Sequence, residues 1–345
     1  MSRSIEIREI SDVSALDDVE QRDLADLRTA LLRELSPDEP SSSSGWALSF
    51  LHPGTEVIRR RPLLAVEGTG RVVGQSVVTL DQAGGNTHIA EVAGVEVHPG
   101  HRRRGTGRAL MAAAVRVAQE ENRTSLVPWG VRSDASLAFW EALGLPEVSV
   151  DRLSRLQLDA LDRNLLARWQ ADCTARERGY VIHRWRGRCP DELLPTFVAA
   201  QQGMLDAPTD DLDMEPDTLD AAWVRARERS WGERGGELWG MVATDPAGDP
   251  AAMTELITMK HRPSFVMQQG TTTLDAHRNR GLGRWLKAEM LSQLIADHPE
   301  AEVVETGNAA SNAPMLAINE ALGFQLYVEL TVRQVAITDL VPHRS

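Results

Sequence analysis

Two stretches of this chain pair forked cationic side chains with glycines at one shared spacing. His101-Arg102-Arg103-Arg104-Gly105-Thr106-Gly107-Arg108 is the first and His277-Arg278-Asn279-Arg280-Gly281-Leu282-Gly283-Arg284 the second, in register and 176 positions apart in 345 residues. Each follows a strand-like run and opens a helix-like one, so unpaired N–H groups at a helix start face whatever sits above the turn. Those groups and the helix dipole both favour negative charge. The glycines let backbone approach a phosphate with no Cβ in the way, and the arginines add charge and paired donors. A nucleotide P-loop would need Gly-x-x-x-x-Gly-Lys-Ser/Thr, which the chain lacks, and a dinucleotide turn would need a third glycine where Leu110 and Leu286 stand. What remains is Arg-x-x-Gly-x-Gly, a cradle for a phosphate-bearing molecule in each half.

The elements around the turns repeat as well. In the first half, Ser4–Ile10 alternates as a strand, and 22–35 reads as a helix with Leu24, Leu27, Leu31 and Leu35 on one stripe. A Ser- and Pro-rich loop over 36–45 precedes strands over 62–67, 71–80 and 88–97, the last running into the first turn. A helix over 104–120, a strand over 125–129 and a helix over 133–143 follow. Residues 159–178 read as a connecting helix, and from Tyr180 the order begins again. Strands are expected over 180–185, 238–244, 251–259 and 265–274, then helix 283–297, strand 302–306 and helix 313–322. Repetition of element order as well as motif makes the chain a tandem array of two related domains. The expected boundaries are 1–158 for the first, 159–179 for the connector and 180–345 for the second.

Glu91 stands near the start of the strand before the first turn. Period-two alternation places it on one face with Ala93, Val95 and Val97, where an apolar setting would raise its pKa toward neutrality. The net charge of −13 argues against nucleic acid as a partner, and Arg59-Arg60-Arg61 reads as a solvated loop. No apolar run reaches the ~18–20 residues of a membrane span, and Met1–Glu6 lacks a secretory signal, so a cytoplasmic location without membrane contact is expected. Two cysteines, Cys173 and Cys189, exclude a disulfide scaffold. None of the nine histidines has metal-ligand spacing, so no metal is expected.

The chain resembles the GNAT superfamily of N-acetyltransferases in its tandem form. The resemblance rests on Val97-His98-Pro99 followed by Arg102-x-x-Gly105-x-Gly107, and on 133–145 with its ending Glu141-Ala142-Leu143-Gly144. In the second copy it rests on Arg278-x-x-Gly281-x-Gly283 and on Asn312-Ala313-Pro314-Met315, ending Leu322-Gly323-Phe324. It implies an α/β (α+β) fold of two GNAT-like domains, each a mixed, mostly antiparallel sheet flanked by helices. Two adjacent parallel strands splay apart at each turn. It also implies acetyl-CoA as cofactor, with its diphosphate on the amides of 103–108 or 279–284 and the thioester carbonyl polarised by backbone within Val95–Val97 or Thr271–Thr273.

Glu91 matches the family's base. The second copy has no carboxylate there, so Glu255 or Glu305 on neighbouring strands are its candidates. The tyrosine that usually serves as acid is Trp140 in one copy and Asn319 in the other, while Asn312 matches a cofactor-contacting asparagine where the first copy has Ser133. The residues do not decide which half is catalytic or whether both bind acetyl-CoA; analogy with tandem relatives favours the C-terminal half. The acidic run Asp206, Asp210, Asp211, Asp213, Glu215, Asp217 and Asp220 falls where the family covers its acceptor, and it would draw a small cationic amine. The expected activity is acetyl transfer from acetyl-CoA to such an amine, by a monomer or homodimer. A non-catalytic acyl-CoA-binding protein, or one catalytic half beside a structural one, is the alternative.

Overall fold

The computed structural model describes residues 5–171, 178–206, 210–215 and 219–340. Cys173 and Asp217, and part of the expected connector, fall outside them. The chain forms two compact units. The first comprises Met1–Val150, Asp211–Pro216 and Leu330–Ser345, and the second Asp151–Asp210 and Asp217–Glu329.

In the first unit β1 (Ile5–Glu9), β2 (Ile58–Glu67), β3 (Val72–Asp81) and β4 (Ile89–Val97) pair antiparallel in that order, and β4 pairs parallel with β5 (Ser125–Val131). On one face lie α1 (Asp18–Leu35) and α2 (Ser44–Ser49), with Leu24, Ala47 and Leu51 packed on Leu64 and Val77. On the other lies α3 (Thr106–Glu120), with Leu110, Ala114 and Val117 packed on Val78, Val92 and Leu126. Helix α1 begins a turn earlier than its hydrophobic stripe requires, because Asp17 and Glu20 form a reciprocal capping box. Helix α4 (Asp134–Glu141) follows β5. The edge of β5 is then met by Leu330, Thr331 and Val332 from near the end of the chain, antiparallel to Val131, Gly130 and Trp129.

The second unit repeats the plan. Strands β7 (Val181–Arg186), β8 (Gly236–Thr244), β9 (Pro250–Met259) and β10 (Phe265–Thr273) pair antiparallel, and β10 pairs parallel with β11 (Val303–Ala309). Residues 151–157 of β6 (Glu147–Gln157) line the far edge of β11. Helices α6 (Leu194–Gln201) and α7 (Ala221–Glu233) cover one face. Helix α8 (Leu282–Asp297) covers the other, and α9 (Ala313–Leu322) precedes β12 (Gln325–Arg333). Helix α5 (Arg163–Ala171), within the expected connector, contributes Leu166 to the core beneath α8.

One expectation about side-chain direction fails. Ala93 packs on the α1/α2 cluster, whereas Val95 and Val97 pack on the α3 cluster. The pairing of β3 with β4 slips between Gln75 and Val77, opposite Gly94 at φ +60°. This bulge inserts an extra residue and reverses the alternation beyond it. Glu91, which alternates with Ile89 and Ala93, therefore shares its face with Glu96 and not with Val95 and Val97.

Candidate active sites

The two turns have one backbone conformation. Arg103 (φ 62°) and Gly105 (φ 86°) are left-handed in the first, Asn279 (φ 60°) and Gly281 (φ 79°) in the second. A left-handed arginine costs about 1 kcal/mol, and the same outlier at matching positions marks a conformation that each unit enforces. Gly105 and Gly281 are the N-caps of α3 and α8 and have no side chain to cap them. The first-turn amides are thus left for a ligand, and successive N–H groups in such a turn form an anion-binding concavity. A Cβ at Gly105 would meet nothing within 4 Å. Beside it the hydroxyl of Thr106 is buried with no partner among the described residues. The first turn therefore fits a phosphate group, and the second shares its stereochemistry.

The other motif side chains largely hold the turns in place. Arg102 Nε donates to the Val97 carbonyl at 3.2 Å, and Arg278 Nε to that of Thr273 at 3.4 Å. Arg102 also forks onto Glu34 (3.0 and 2.5 Å), and Arg278 reaches Asp275 at 2.7 Å. His101 and Arg104 meet Glu67 at 2.7 and 3.5 Å. His277 meets the Tyr180 hydroxyl at 2.7 Å, and Arg280 donates to that same hydroxyl. Each copy thus uses its His and the arginine just before its first glycine as a clamp, on a different anchor. Arg108 donates to the Ala142 carbonyl at 3.4 Å, and Arg284 lies 5.7 Å from the Trp169 ring. Leu282 is buried in the core. What these turns leave to offer an anion is mainly the backbone N–H groups of the helix starts.

Beside each turn the parallel strands part. Pairing of β4 with β5 ends at Ala93↔Trp129, and that of β10 with β11 at Gln268↔Thr306. Each parting coincides with a bulge, at Gly94 in the first unit and between Gln268 and Thr271 in the second. The segments Val95–Val97 and Thr271–Thr273 lie just beyond. Thr271 is buried and bonds Thr254 (2.8 Å) through their hydroxyls. At the second glycine the copies differ. A Cβ on Gly107 would sit 3.1 Å from Phe139, while one on Gly283 would have 3.9 Å to Thr273 and 4.0 Å to Ile318.

The carboxylates occupy comparable levels of the two sheets. Glu91 on β4 stands opposite Val127 on β5; Met267 on β10 stands opposite Glu305 on β11. The acid has changed strands between copies. Glu305 pairs with Arg155 at 2.8 Å, whose guanidinium stacks 3.3 Å from the Tyr327 ring centroid. Glu255 is buried and pairs with Arg227 at 2.7 Å. Both are committed to joining elements. Asn312 and Ser133 serve as N-caps of α9 and α4, accepting from Met315 and Ser136. Trp140 is buried and gives its N–H to Ser136 at 3.0 Å, whereas Asn319 donates to Asn308 at 2.8 Å.

Two groups escape a reading of the linear chain. Asp211–Glu215, from the acidic run, belongs to the first unit. Leu212 and Met214 pack with Ile89, Val127 and Trp129, and the Glu215 backbone bonds both ends of the Asn86 amide at 2.9 Å. This acidic strap therefore lies on the face that carries Glu91. At the bulge itself, Glu96 accepts from Arg28 (3.0 Å) and Gln75 (2.6 Å). No local pattern announces that trio, since its members come from α1, β3 and β4. In the second unit, burial and then the neighbouring Asp210 carboxylate hold the Asp151 carboxyl above its usual range.

Residues 24–145 match the acetyltransferase (GNAT) family model. That stretch contains the first turn, the bulge and Glu91. Residues 24–145 are thus a GNAT-family domain. A tandem GNAT protein from the clavulanic acid biosynthesis pathway superposes over 97% of this chain and 99% of its own, with a TM-score of 0.77 and 27% identity. A GCN5-related N-acetyltransferase from Sphaerobacter thermophilus shares the fold over 96% of both chains, with a TM-score of 0.66 and 16% identity. No curated protein matches. The chain thus has the tandem GNAT fold, and its GNAT domain implies acyl-CoA-dependent acetyl transfer. Among the described residues no helix is long and apolar enough to cross a membrane.

Proposed function

We propose that the chain is an acetyl-CoA-dependent N-acetyltransferase for a small amine, and that the N-terminal unit does the chemistry. The carrying observation is the coincidence, in one unit, of the left-handed turn with its bare helix start, the parted strands, and a carboxylate on the same face as the acidic strap. When bound, acetyl-CoA supplies an acetyl group activated as a thioester. The amides of 103–108 would hold its diphosphate, and those of 279–284 would do the same in the second unit. Backbone N–H groups of Val95–Val97, just beyond the Gly94 bulge, would donate to the thioester carbonyl oxygen, as an oxyanion hole does. Glu91 takes the proton from the acceptor's ammonium through intervening water, keeping the nitrogen lone pair available. Trp140 has no titratable proton, and its N–H is spent on Ser136, so water protonates the departing sulfur. The strap residues Asp211, Asp213 and Glu215 raise the local concentration of protonated amines.

A second reading has a specific basis in the other unit. Its Glu255 and Glu305 are committed to arginines while its turn keeps the anion-binding geometry, which suits holding a coenzyme without turnover. The test combines calorimetric titration of coenzyme A with thiol release from acetyl-CoA over a panel of amines. The proposal expects binding together with turnover on at least one amine. Binding with no turnover on any of them supports the second reading, and absence of coenzyme A binding removes both.

A further inference from the structure

The Arg28–Glu96–Gln75 trio is bonded in a way that leaves two hydrogen-bonding valences unspent. Glu96 accepts from Arg28 Nη1 at 3.0 Å and from Gln75 Nε2 at 2.6 Å. A carboxylate has no proton to give, so the Gln75 amide must point its nitrogen at Glu96 and its oxygen elsewhere. That oxygen is buried and has no partner among the described residues, on a side chain only 5% exposed. Arg28 Nε is likewise buried without a partner, in a guanidinium stacked 3.7 Å from the Phe50 ring centroid. A buried donor and a buried acceptor left unmade each cost about 1–3 kcal/mol. Two such atoms in one ion-paired trio mark a place where a ligand with the complementary groups gains by binding.

The location is equally specific. The Glu96 side chain folds back over the bulge, its Cγ 3.2 Å from where a Cβ would stand on Gly94. Glu96 opposes Gln75 across β3 and β4, on the α1/α2 face shared by Glu91 and Ala93. An acceptor held there has its reacting group at the point where the strands part.

We infer that Arg28, Gln75 and Glu96 bind the acceptor, and that the acceptor is an α-amino-acid-like zwitterion. Its carboxylate takes the Arg28 guanidinium and its ammonium lies between Glu96 and the Gln75 oxygen. This deepens the proposed function and rests on it for the identity of the site, though the binding can be measured without the cofactor. Charge conservation is the physical reason for the zwitterion. A plain amine that replaced Arg28 on Glu96 would leave a half-buried guanidinium unpaired, and a plain acid would strand Glu96. Removing one partner of a buried pair costs several kcal/mol. Only a ligand carrying both charges parts the pair and re-pairs both halves.

The test uses the full chain and three-member ligand sets: a free L-amino acid, the amine lacking its carboxylate, and the acid lacking its amino group. Ligand-observed NMR covers sets built on all the common amino acids. At least one free amino acid should bind tenfold or more tightly than both truncated relatives. Arg28→Met and Glu96→Gln should each weaken that binding at least tenfold, and Arg28→Lys should do so less. If Arg28→Met loses its circular dichroism signal, Gln75→Met replaces it, since it keeps both charges and removes the spare acceptor. With acetyl-CoA present, kcat/KM should favour the amino acid over its amine by the same ratio. The inference is overturned if no amino acid binds, if the amine binds as well as its parent, or if these variants leave affinity unchanged. Absence of coenzyme A binding strikes the proposed function instead, because the zwitterion measurement needs no cofactor.

Discussion

Lys287 offers a measurement whose size follows from its surroundings. It is one of two lysines in the chain and lies in the second turn of α8, 2% exposed. Its amine is 5.8 Å from the Phe324 ring centroid, and no carboxylate among the described residues pairs with it. The matching position of the first unit, 176 residues earlier, is Met111, also buried. Burial pushes the Lys287 pKa down from 10.5 to about 7. The unfolded chain keeps this proton up to about pH 10.5 while the folded chain releases it near pH 7. Between those values the unfolded state binds more protons, so the Lys287 contribution makes stability rise with pH through that window and stay flat below it. At about 1.4 kcal/mol per pH unit, the penalty at pH 7 is on the order of 5 kcal/mol. Lys287→Met should remove it, stabilising the protein by that order at pH 7 and by progressively less toward pH 10.5. Urea unfolding of wild type and variant at pH 7, 8.5 and 10 reads the difference at each pH, which cancels the titration of other groups. A variant no more stable at pH 7, or a gap that does not narrow on going alkaline, would refute the reasoning.

Four further outcomes follow from the geometry. Glu91→Gln should lower kcat by about 10²–10³ and flatten the acidic limb of the pH–rate profile, as loss of a general base does; an unchanged profile removes Glu91 from that role. Gly107→Ala forces a methyl to within 3.1 Å of Phe139 and should weaken coenzyme A binding in the first unit together with turnover. Gly283→Ala meets only ordinary contacts, and calorimetry should find turnover and stability close to wild type. Arg227→Met leaves the Glu255 carboxylate buried and unpaired, and thermal unfolding should show a loss of about 3–5 kcal/mol.

The turns were legible because glycine and cationic side chains answer to local backbone demands, which a few residues express. Period-two reasoning failed at Gly94 for the same reason that it worked elsewhere: it counts residues, and a bulge adds one. The start of α1 was written in Asp17 and Glu20, outside the hydrophobic stripe that defined the expected helix. Strands β6 and β12 announce themselves poorly in the sequence, although 325–333 alternates in part, because each completes a sheet begun far away in sequence. Partners such as Arg155 with Glu305, or Arg28 with Glu96, answer to three-dimensional meeting and leave no spacing to find. The acidic strap shows this most plainly. Its charges are visible in the sequence, but sequence neighbourhood puts it in the second domain, whereas packing of Leu212 and Met214 gives it to the first unit.

The pairing of β5 with Leu330–Val332 has a temporal consequence. About 180 residues separate Val150 from that segment, and a ribosome adds ~5–20 residues per second. For roughly ten to forty seconds the newborn first unit must wait with a bare β5 edge, a template for pairing with any neighbouring nascent chain. Synthesis of this protein therefore carries a vulnerable interval that two separately encoded units, each owning its last strand, would not share.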